Sequence, residues 1–242
     1  GVQTCALPIC FLALAVLALS LVACGRNPVE GQAFNQRVRA YLLDHPEILQ
    51  EMSERLQTKQ RQEEQKAAVS AIRDNRPALE RDRRDFVVNP NGKVTVVEFY
   101  DYQCGYCKLS APTVVQLIRE NPDVRFVFKE FVIFGPTSEY AAKMVLAAKD
   151  PAVRLKLYQA FMAEKPLSEA GVDRIVAAQG LNVAALKAEI AKPEYANHLN
   201  DVQTLARKLG LQGTPAFVIG DTLIPGADMD ALKRAIAAAK KG

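Results

Sequence analysis

Apolar and polar positions divide the chain into three parts with different patterns. Residues 11–22 form a short, almost unbroken apolar run, which is too short to span a bilayer comfortably. From Phe34 to Leu56, apolar residues recur at helical spacing within polar sequence, which predicts amphipathic helices. From Phe86 onward, short apolar runs alternate with helical segments between Pro and Gly breaks. This last pattern predicts an α/β domain.

The alternating part has a definite order of elements. Strands are predicted over residues 94–100, 124–132, 216–219 and 222–224. Helices are predicted over residues 107–120 (interrupted at Pro112), 138–149, 152–164, 168–179, 183–192, 194–209 and 229–240. Strand, helix, strand, a run of helices, hairpin and helix is the order of a thioredoxin fold. We therefore predict such a domain over residues 86–242, with an inserted helical subdomain at about residues 136–209.

The start of the chain has the features of an export signal. Residues 1–23 are interpreted as a signal peptide. Leu21-Val-Ala-Cys24 resembles the lipobox of bacterial lipoproteins, in which the cysteine is lipidated and becomes the mature N-terminus. An ordinary signal peptide with an incidental Cys24 is the alternative. Residues 1–9 carry no Lys or Arg and resemble the translation of a sequencing adapter, so we interpret them as an artefact.

Residues 24–33 are predicted to tether the lipid anchor to a helical region at residues 34–85. Asp44-His-Pro-Glu47 has the spacing of a capping box that restarts a helix. Residues 57–66 are polar on all sides, so this helix is poorly suited to packing on a globular core. Two interpretations stay open, a solvated spacer and a stalk that buries its apolar stripe against copies of itself.

Charge and cysteine content narrow the possible functions. The net charge of +4 is small and evenly spread, which argues against nucleic acid as a partner. Outside the signal peptide, the cysteines are Cys24, Cys104 and Cys107, too few for a structural zinc site. His45 and His198 are interpreted as surface or capping histidines. We expect neither a metal nor a cofactor.

Cys104-Gly-Tyr-Cys107 is the main candidate for chemistry. It follows the predicted strand at residues 94–100 and opens a helix. Unpaired amides and the helix dipole at such a position stabilise a thiolate and lower its pKa. A thiolate at neutral pH is the nucleophile in thiol–disulfide exchange. The pair therefore indicates redox chemistry on the cysteines of other proteins.

Three stretches resemble a known family. Residues 99–108 (FYDYQCGYCK) and 213–217 (GTPAF) are similar to the DsbA-like thioredoxin-fold disulfide oxidoreductases of bacterial envelopes. Residues 42–49 (LLDHPEIL) resemble the N-terminal region of the suppressor-of-copper-sensitivity C-type branch. The fold class implied is α/β, a thioredoxin fold with a helical insertion behind an N-terminal helical segment.

The resemblance implies roles for the CGYC residues. Cys104 is expected to be the exposed nucleophile that forms a mixed disulfide. Cys107, one turn further and more buried, is expected to resolve it, so that Cys104 and Cys107 alternate between dithiol and disulfide. Gly105 and Tyr106 are expected to tune the stability of the thiolate.

Two further site predictions come from the same resemblance. Thr214-Pro215 matches the family's cis-proline loop opposite the CxxC, where the Thr214 backbone would pair with an extended substrate. Glu98 matches a buried acid under the CxxC that relays a proton during resolution. The alternative for Glu98 is a strand residue that faces solvent.

These features predict an enzyme of the bacterial periplasm or cell envelope that exchanges disulfides with unfolded or misfolded proteins. The N-terminal helices favour a disulfide isomerase or reductase, and they suggest a homo-oligomer, a dimer or a trimer. A DsbA-like dithiol oxidase is the first alternative. A Cu(I)-binding protein with Cys104 and Cys107 as thiolate ligands is the second. A membrane redox partner and a lipid anchor in the membrane complete the expected interactions.

Overall fold

The computed structural model describes the backbone of residues 28–241 and the side chains of residues 31–241. The signal-peptide and lipidation predictions, including Cys24, lie outside these residues. The chain divides into two compact units, residues 1–62 and 63–242. None of the described helices is long and apolar enough to cross a membrane.

The described part of the first unit is helical. Helix α1 spans Pro28–Asp44, and α2 spans Glu47–Asp74 and continues past the unit boundary. The break between them falls in the predicted capping sequence. Large apolar side chains of this unit are exposed, and they are Phe34, Val38, Tyr41, Leu42, Leu43, Leu49, Met52 and Leu56.

The second unit contains a five-stranded sheet in the order β1-β3-β2-β4-β5. Its strands are β1 Phe86–Val88, β2 Val94–Tyr100, β3 Val124–Glu130, β4 Ala216–Ile219 and β5 Thr222–Pro225. β2 and β3 are parallel, and the other neighbours are antiparallel. The sequence prediction missed β1 because a three-residue edge strand is too short to show alternation. This sheet confirms the predicted fold class.

The remaining helices are α3 Arg76–Glu80, α4 Gly105–Glu120, α5 Pro136–Ala147, α6 Pro151–Ala163, α7 Glu169–Ala178, α8 Val183–Ile190, α9 Pro193–Lys208 and α10 Met229–Ala239. The predicted interruption of α4 at Pro112 is wrong. Ala111, Val114 and Val115 are buried, and this packing offsets the missing amide of the proline. Three other prolines begin helices α5, α6 and α9, where a missing N–H costs nothing.

Alternate residues of β2 serve two different cores. Val96 and Tyr100 pack with α4, α5 and α6 on one face of the sheet. Val97 and Phe99 pack with α9 and the end of α2 on the other face. Glu98, between them, is therefore placed on the same face as Val96 and Tyr100.

A close backbone approach sets the start of β2 beside the start of β3. A Cβ at Gly92 would lie 2.3 Å from the Arg125 nitrogen and 2.5 Å from the Val124 carbonyl carbon. Only glycine fits there. Lys93 N donates to Asp123 O at 2.9 Å, which holds the two strand starts together.

Candidate active site

Cys104 is the N-cap residue of α4. It has an extended backbone (φ −66°, ψ 120°), and its Sγ accepts a hydrogen bond from the Cys107 amide at 3.4 Å. Cys104 is 3 % exposed and Cys107 is 0 % exposed. The helix-start placement agrees with the sequence prediction, but the expected exposure of Cys104 is wrong, because the residue is buried.

The peptide bond between Thr214 and Pro215 is cis, as predicted. The Cys104 thiol donates to the Thr214 carbonyl oxygen at 3.2 Å, so residues 110 positions apart meet at the reacting sulfur. The Thr214 hydroxyl is buried and has no hydrogen-bond partner among the described residues. It is therefore free to turn toward a thiolate at Cys104.

The two thiols have opposite acidities. The Cys107 side chain does most to lower the pKa of Cys104 to about 5 against the effect of burial, and the Thr214 side chain and the Cys107 and Tyr106 amides lower it as well. Burial raises the pKa of Cys107, and the neighbouring Cys104 raises it further. At neutral pH Cys104 is thus a thiolate and Cys107 is a thiol. Thiol–disulfide exchange needs a thiolate for the first attack and a second thiol that resolves the mixed disulfide.

Glu98 is buried and partly neutral. It is 1 % exposed, and the Tyr158 hydroxyl donates to both of its oxygens at 3.2 and 3.3 Å. Burial raises the pKa of Glu98 to about 8. The solvent-facing alternative is therefore wrong. Tyr158 was not identified from the sequence. Burial raises its pKa well above the usual range, and the neighbouring Glu98 raises it further.

A second buried acid lies at the end of β3. Glu130 accepts hydrogen bonds from the hydroxyls of Tyr100 at 2.5 Å and Tyr102 at 3.3 Å. Burial raises the pKa of Glu130 to about 8. Both tyrosine rings pack edge-on against Tyr158, so two protonatable carboxyl groups share one buried tyrosine cluster beside the active site.

Asp101 fixes the segment that precedes the cysteines. Its buried carboxylate accepts from the amides of Gln103 (2.7 Å), Ile133 (2.8 Å) and Phe134 (3.0 Å) and from the Ser138 hydroxyl (2.6 Å). Sequence reasoning assigned no role to Asp101, because three of these donors lie more than thirty residues away. The bonds join the 131–135 loop to the start of the active site.

Exposed apolar side chains flank the cysteines. Tyr106 is 68 % and Leu109 66 % exposed on α4, and Ile133 and Phe134 are exposed on the loop held by Asp101. Gly105 is also exposed, and a Cβ there would meet no atom within 4 Å. The active site therefore opens onto an apolar rim.

His198 is not the surface or capping residue that the sequence suggested. It is 2 % exposed on α9, with Nε2 3.4 Å from Asp85 Oδ1 and Nδ1 3.8 Å from Asp82 Oδ2. These three side chains form a potential metal-ligand cluster. Asp85 already pairs with Lys129 at 2.5 Å and Asp82 with Arg84 at 2.6 Å, so we assign no metal to it. His45, in contrast, is exposed.

Two family models match the chain. The DSBA-like thioredoxin domain matches residues 95–237, which is more than half of the chain. The copper resistance protein ScsC N-terminal domain matches residues 30–63. The two matched segments correspond to the sheet-containing region and to the helices that precede it.

Individual proteins show the same similarity. The chain is 27 % identical over 163 residues to disulfide bond formation protein D of Bacillus subtilis, covering 62 % of this chain and 73 % of that protein. The catalytic domain of Proteus mirabilis ScsC is 31 % identical with a TM-score of 0.66, covering 72 % of this chain and 99 % of that one. BcfH of Salmonella enterica Typhimurium is 34 % identical with a TM-score of 0.77, covering 88 % and 96 %.

Proposed function

The chain belongs to the family of DsbA-like thioredoxin domains, which are thiol–disulfide oxidoreductases, and on this premise we propose that it is a disulfide isomerase or reductase of the bacterial cell envelope. The observation that carries the proposal is the pair of unequal thiols at the start of α4. Cys104, with its pKa lowered to about 5, is a thiolate and therefore a nucleophile at neutral pH. Cys107 keeps its proton until the mixed disulfide has formed.

The reaction follows from these two states. The Cys104 thiolate attacks one sulfur of a substrate disulfide, forms the intermolecular S–S bond and releases the other substrate sulfur as a thiolate. In isomerisation, a substrate thiolate attacks the mixed disulfide and regenerates Cys104. In reduction, Cys107 loses its proton and attacks Cys104 Sγ, which leaves a Cys104–Cys107 disulfide and a reduced substrate. A membrane redox partner then returns the two electrons.

Resolution needs a proton acceptor near Cys107, and we assign this role to Glu98. Its pKa of about 8 lies close to the working pH, where a general base is most effective. Tyr158, which donates to Glu98, orients the carboxylate. Tyr158 is therefore a positioning residue for this step.

Substrate binding is assigned to the Thr214-Pro215 loop and the apolar rim. When Cys104 ionises, it no longer donates to the Thr214 carbonyl, and that oxygen becomes available to an amide of an extended substrate. The exposed Tyr106 and Phe134 side chains suit the apolar segments that unfolded proteins expose.

The N-terminal helices are assigned to self-association. Eight large apolar side chains between residues 34 and 56 are exposed, which is costly for an isolated helix pair in water. A dimer or trimer that buries this stripe would bring several CGYC sites together. The lipid anchor at Cys24 is part of the same proposal and would hold the assembly at the membrane.

Dithiol oxidase is the second candidate, and the low pKa of Cys104 favours it. A thiolate stabilised in the reduced form makes the couple more oxidising. Refolding assays separate the two candidates. An isomerase in its reduced form speeds recovery of a scrambled disulfide protein, whereas an oxidase in its oxidised form speeds only oxidation of a reduced one. Activity in the second assay alone would contradict the leading proposal.

Two variants complete the test. Cys104→Ser is expected to abolish both activities, whereas Leu49→Glu is expected to dissociate the oligomer and reduce isomerase activity. Gln60→Glu adds the same charge on the same helix at an exposed polar position and serves as the control. Mass measured by light scattering reports the assembly. A monomeric wild-type protein with full isomerase activity would refute the self-association step. The Cu(I) interpretation stays a prediction that anaerobic titration would test.

A further inference from the structure

Arg125 is a buried cation that forms no ion pair with the part of the chain that the structure describes. It is the second residue of β3 and is 8 % exposed. Its Nη1 is buried without a hydrogen-bond partner, and its side chain makes no hydrogen bond or ion pair with any residue that the structure describes. Burial, together with repulsion from Arg81, lowers the pKa of Arg125, and the nearby carboxylates of Glu80 and Asp85 act against this shift. Buried charges are normally paired, so we expect an anion to bind this guanidinium.

Arg125 lines a cavity of about 590 Å³ together with three more arginines, Arg81, Arg83 and Arg154. Arg81 and Arg83 are exposed and form no ion pair within residues 31–241. Arg154 donates to the carbonyl oxygens of Leu146 at 2.7 Å and Ala148, and it too has no carboxylate partner in that range. Four arginines thus line one space, and none of them forms an ion pair with a carboxylate of residues 31–241.

The acids that line the same cavity do not compensate for this charge. They are Asp82 and Asp85. Asp82 is held by Arg84 at 2.6 Å, and Asp85 by Lys129 at 2.5 Å. Each carboxylate is therefore neutralised by a cation other than the four arginines. The four arginines outnumber the two acids, so the cavity keeps an excess of positive charge, and like charges in a partly desolvated space repel one another.

The cavity lies at the opposite end of the sheet from the cysteines. Arg125 pairs in register with Thr95, the second residue of β2. The strands β2 and β3 are parallel, and Cys104 follows the far end of β2. A ligand bound beside Arg125 would therefore not contact the redox site, and the site is a separate one.

We propose that this cavity, lined by the buried Arg125 and the exposed Arg81 and Arg83, binds a multivalent oxyanion, a phosphate group. Guanidinium forks match the oxygens of phosphate in pairs, and several of them suit a group that carries more than one negative charge. The phosphate belongs either to a soluble compound or to the headgroup of an anionic phospholipid. This proposal goes beyond the redox function and does not depend on it.

The test is a calorimetric titration of the protein with inorganic phosphate in a buffer free of other oxyanions. Wild-type protein is expected to bind saturably. Arg125→Met, which keeps a long apolar side chain, is expected to weaken binding at least about tenfold, the loss of one charge-assisted contact. Arg81→Met, at an exposed position where folding is not at stake, is expected to weaken it about threefold. Arg234→Met removes the same charge from an exposed site on α10 and is the matched control.

Vesicles distinguish the two sources of phosphate. Sedimentation with phosphatidylglycerol vesicles, in a manner that requires Arg125 and is displaced by inorganic phosphate, would identify a lipid headgroup. Saturable phosphate binding with no retention on these vesicles or on phosphatidylcholine vesicles would identify a soluble compound. No saturable phosphate binding, or equal weakening in R125M, R81M and R234M, would overturn the proposal. Insulin reduction through Cys104 is expected to be unchanged in all three variants, which separates this result from any failure of the redox proposal.

Discussion

Removing the Cys107 thiol should raise the pKa of Cys104. Among the groups that lower this pKa to about 5, the Cys107 side chain has the largest effect. A hydrogen bond to a charged group contributes about 1.5 kcal/mol, and one pKa unit corresponds to about 1.4 kcal/mol. Cys107→Ala is therefore expected to raise the pKa of Cys104 by about one unit. Cys107→Ser keeps a donor at the same place and should raise it less.

The reduction potential of the wild-type Cys104–Cys107 couple should reflect the stabilised Cys104 thiolate. Two pH units separate pH 7 from the pKa of about 5, so the reduced form gains about 2.7 kcal/mol at neutral pH relative to an un-ionised thiol. That free energy corresponds to a reduction potential about 60 mV more positive. Below pH 5 reduction takes up two protons and the potential should fall about 60 mV per pH unit. Above it one proton is taken up, and the slope should be about 30 mV per unit.

The stability of the reduced protein should follow the same titration. Because the pKa of Cys104 is lower folded than its ordinary value of 9.0, the stabilisation is fully present above pH 9. It is lost as pH falls toward 5. Thiolate ultraviolet absorbance and alkylation rates would give the pKa of Cys104 in the two Cys107 variants. Equilibration in glutathione redox buffers would give the reduction potential of the wild-type protein. A Cys104 titration close to 9, or a potential without a change of slope near pH 5, would refute the reasoning.

Three further predictions concern buried groups and a tight turn. The pKa of Glu98 is raised from 4.5 to about 8, so the oxidised protein, in which Cys104 does not titrate, should lose stability as pH rises through this window. Glu98→Gln should flatten urea-unfolding stability against pH and slow resolution by Cys107 in stopped flow. Lys129→Met leaves Asp85 buried without its 2.5 Å cation and should cost about 3–5 kcal/mol. Adding Asp85→Asn to Lys129→Met should restore part of the lost stability in urea unfolding. If no stability is restored, the Lys129–Asp85 ion pair is not the cause of the loss. Gly92→Ala should lower the free energy of unfolding by about 1–3 kcal/mol, and Tm with it. The added Cβ would lie 2.3 Å from the backbone nitrogen of Arg125 in β3. Gly105→Ala, in open space, should leave Tm nearly unchanged.

The locally encoded parts of this protein were predictable from the sequence. The strand at residues 94–100 and the helix after Cys104 match the structure, and both depend on neighbouring residues through apolar runs and capping positions. The cis bond before Pro215 also matches, but it was expected from the family resemblance, because an X–Pro bond is usually trans. Errors within this class were small. The prolines at helix starts were interpreted as separators although they are first-turn residues, and Pro112 was interpreted as a break.

Contacts between distant segments were decided by the tertiary structure alone. Sequence spacing could not show that Asp101 accepts from the 131–135 loop, or that His198 lies buried beside Asp85. It also could not show that Tyr158 lies over Glu98, since sixty residues separate them. Such pairs form only when helices and strands have packed, and no local pattern encodes them.

The sequence by itself determined that a reactive dithiol stands at a helix start after a buried strand, because that arrangement is local. The tertiary structure decided the charge states. The thiolate of Cys104, stabilised mainly by Cys107, is stabilised further by the distant Thr214. The raised pKa of Glu98 depends on its burial, and the excess charge around Arg125 depends on the arginines that line its cavity. Electrostatic free energies depend on distance and burial in space, and the folded chain alone sets both.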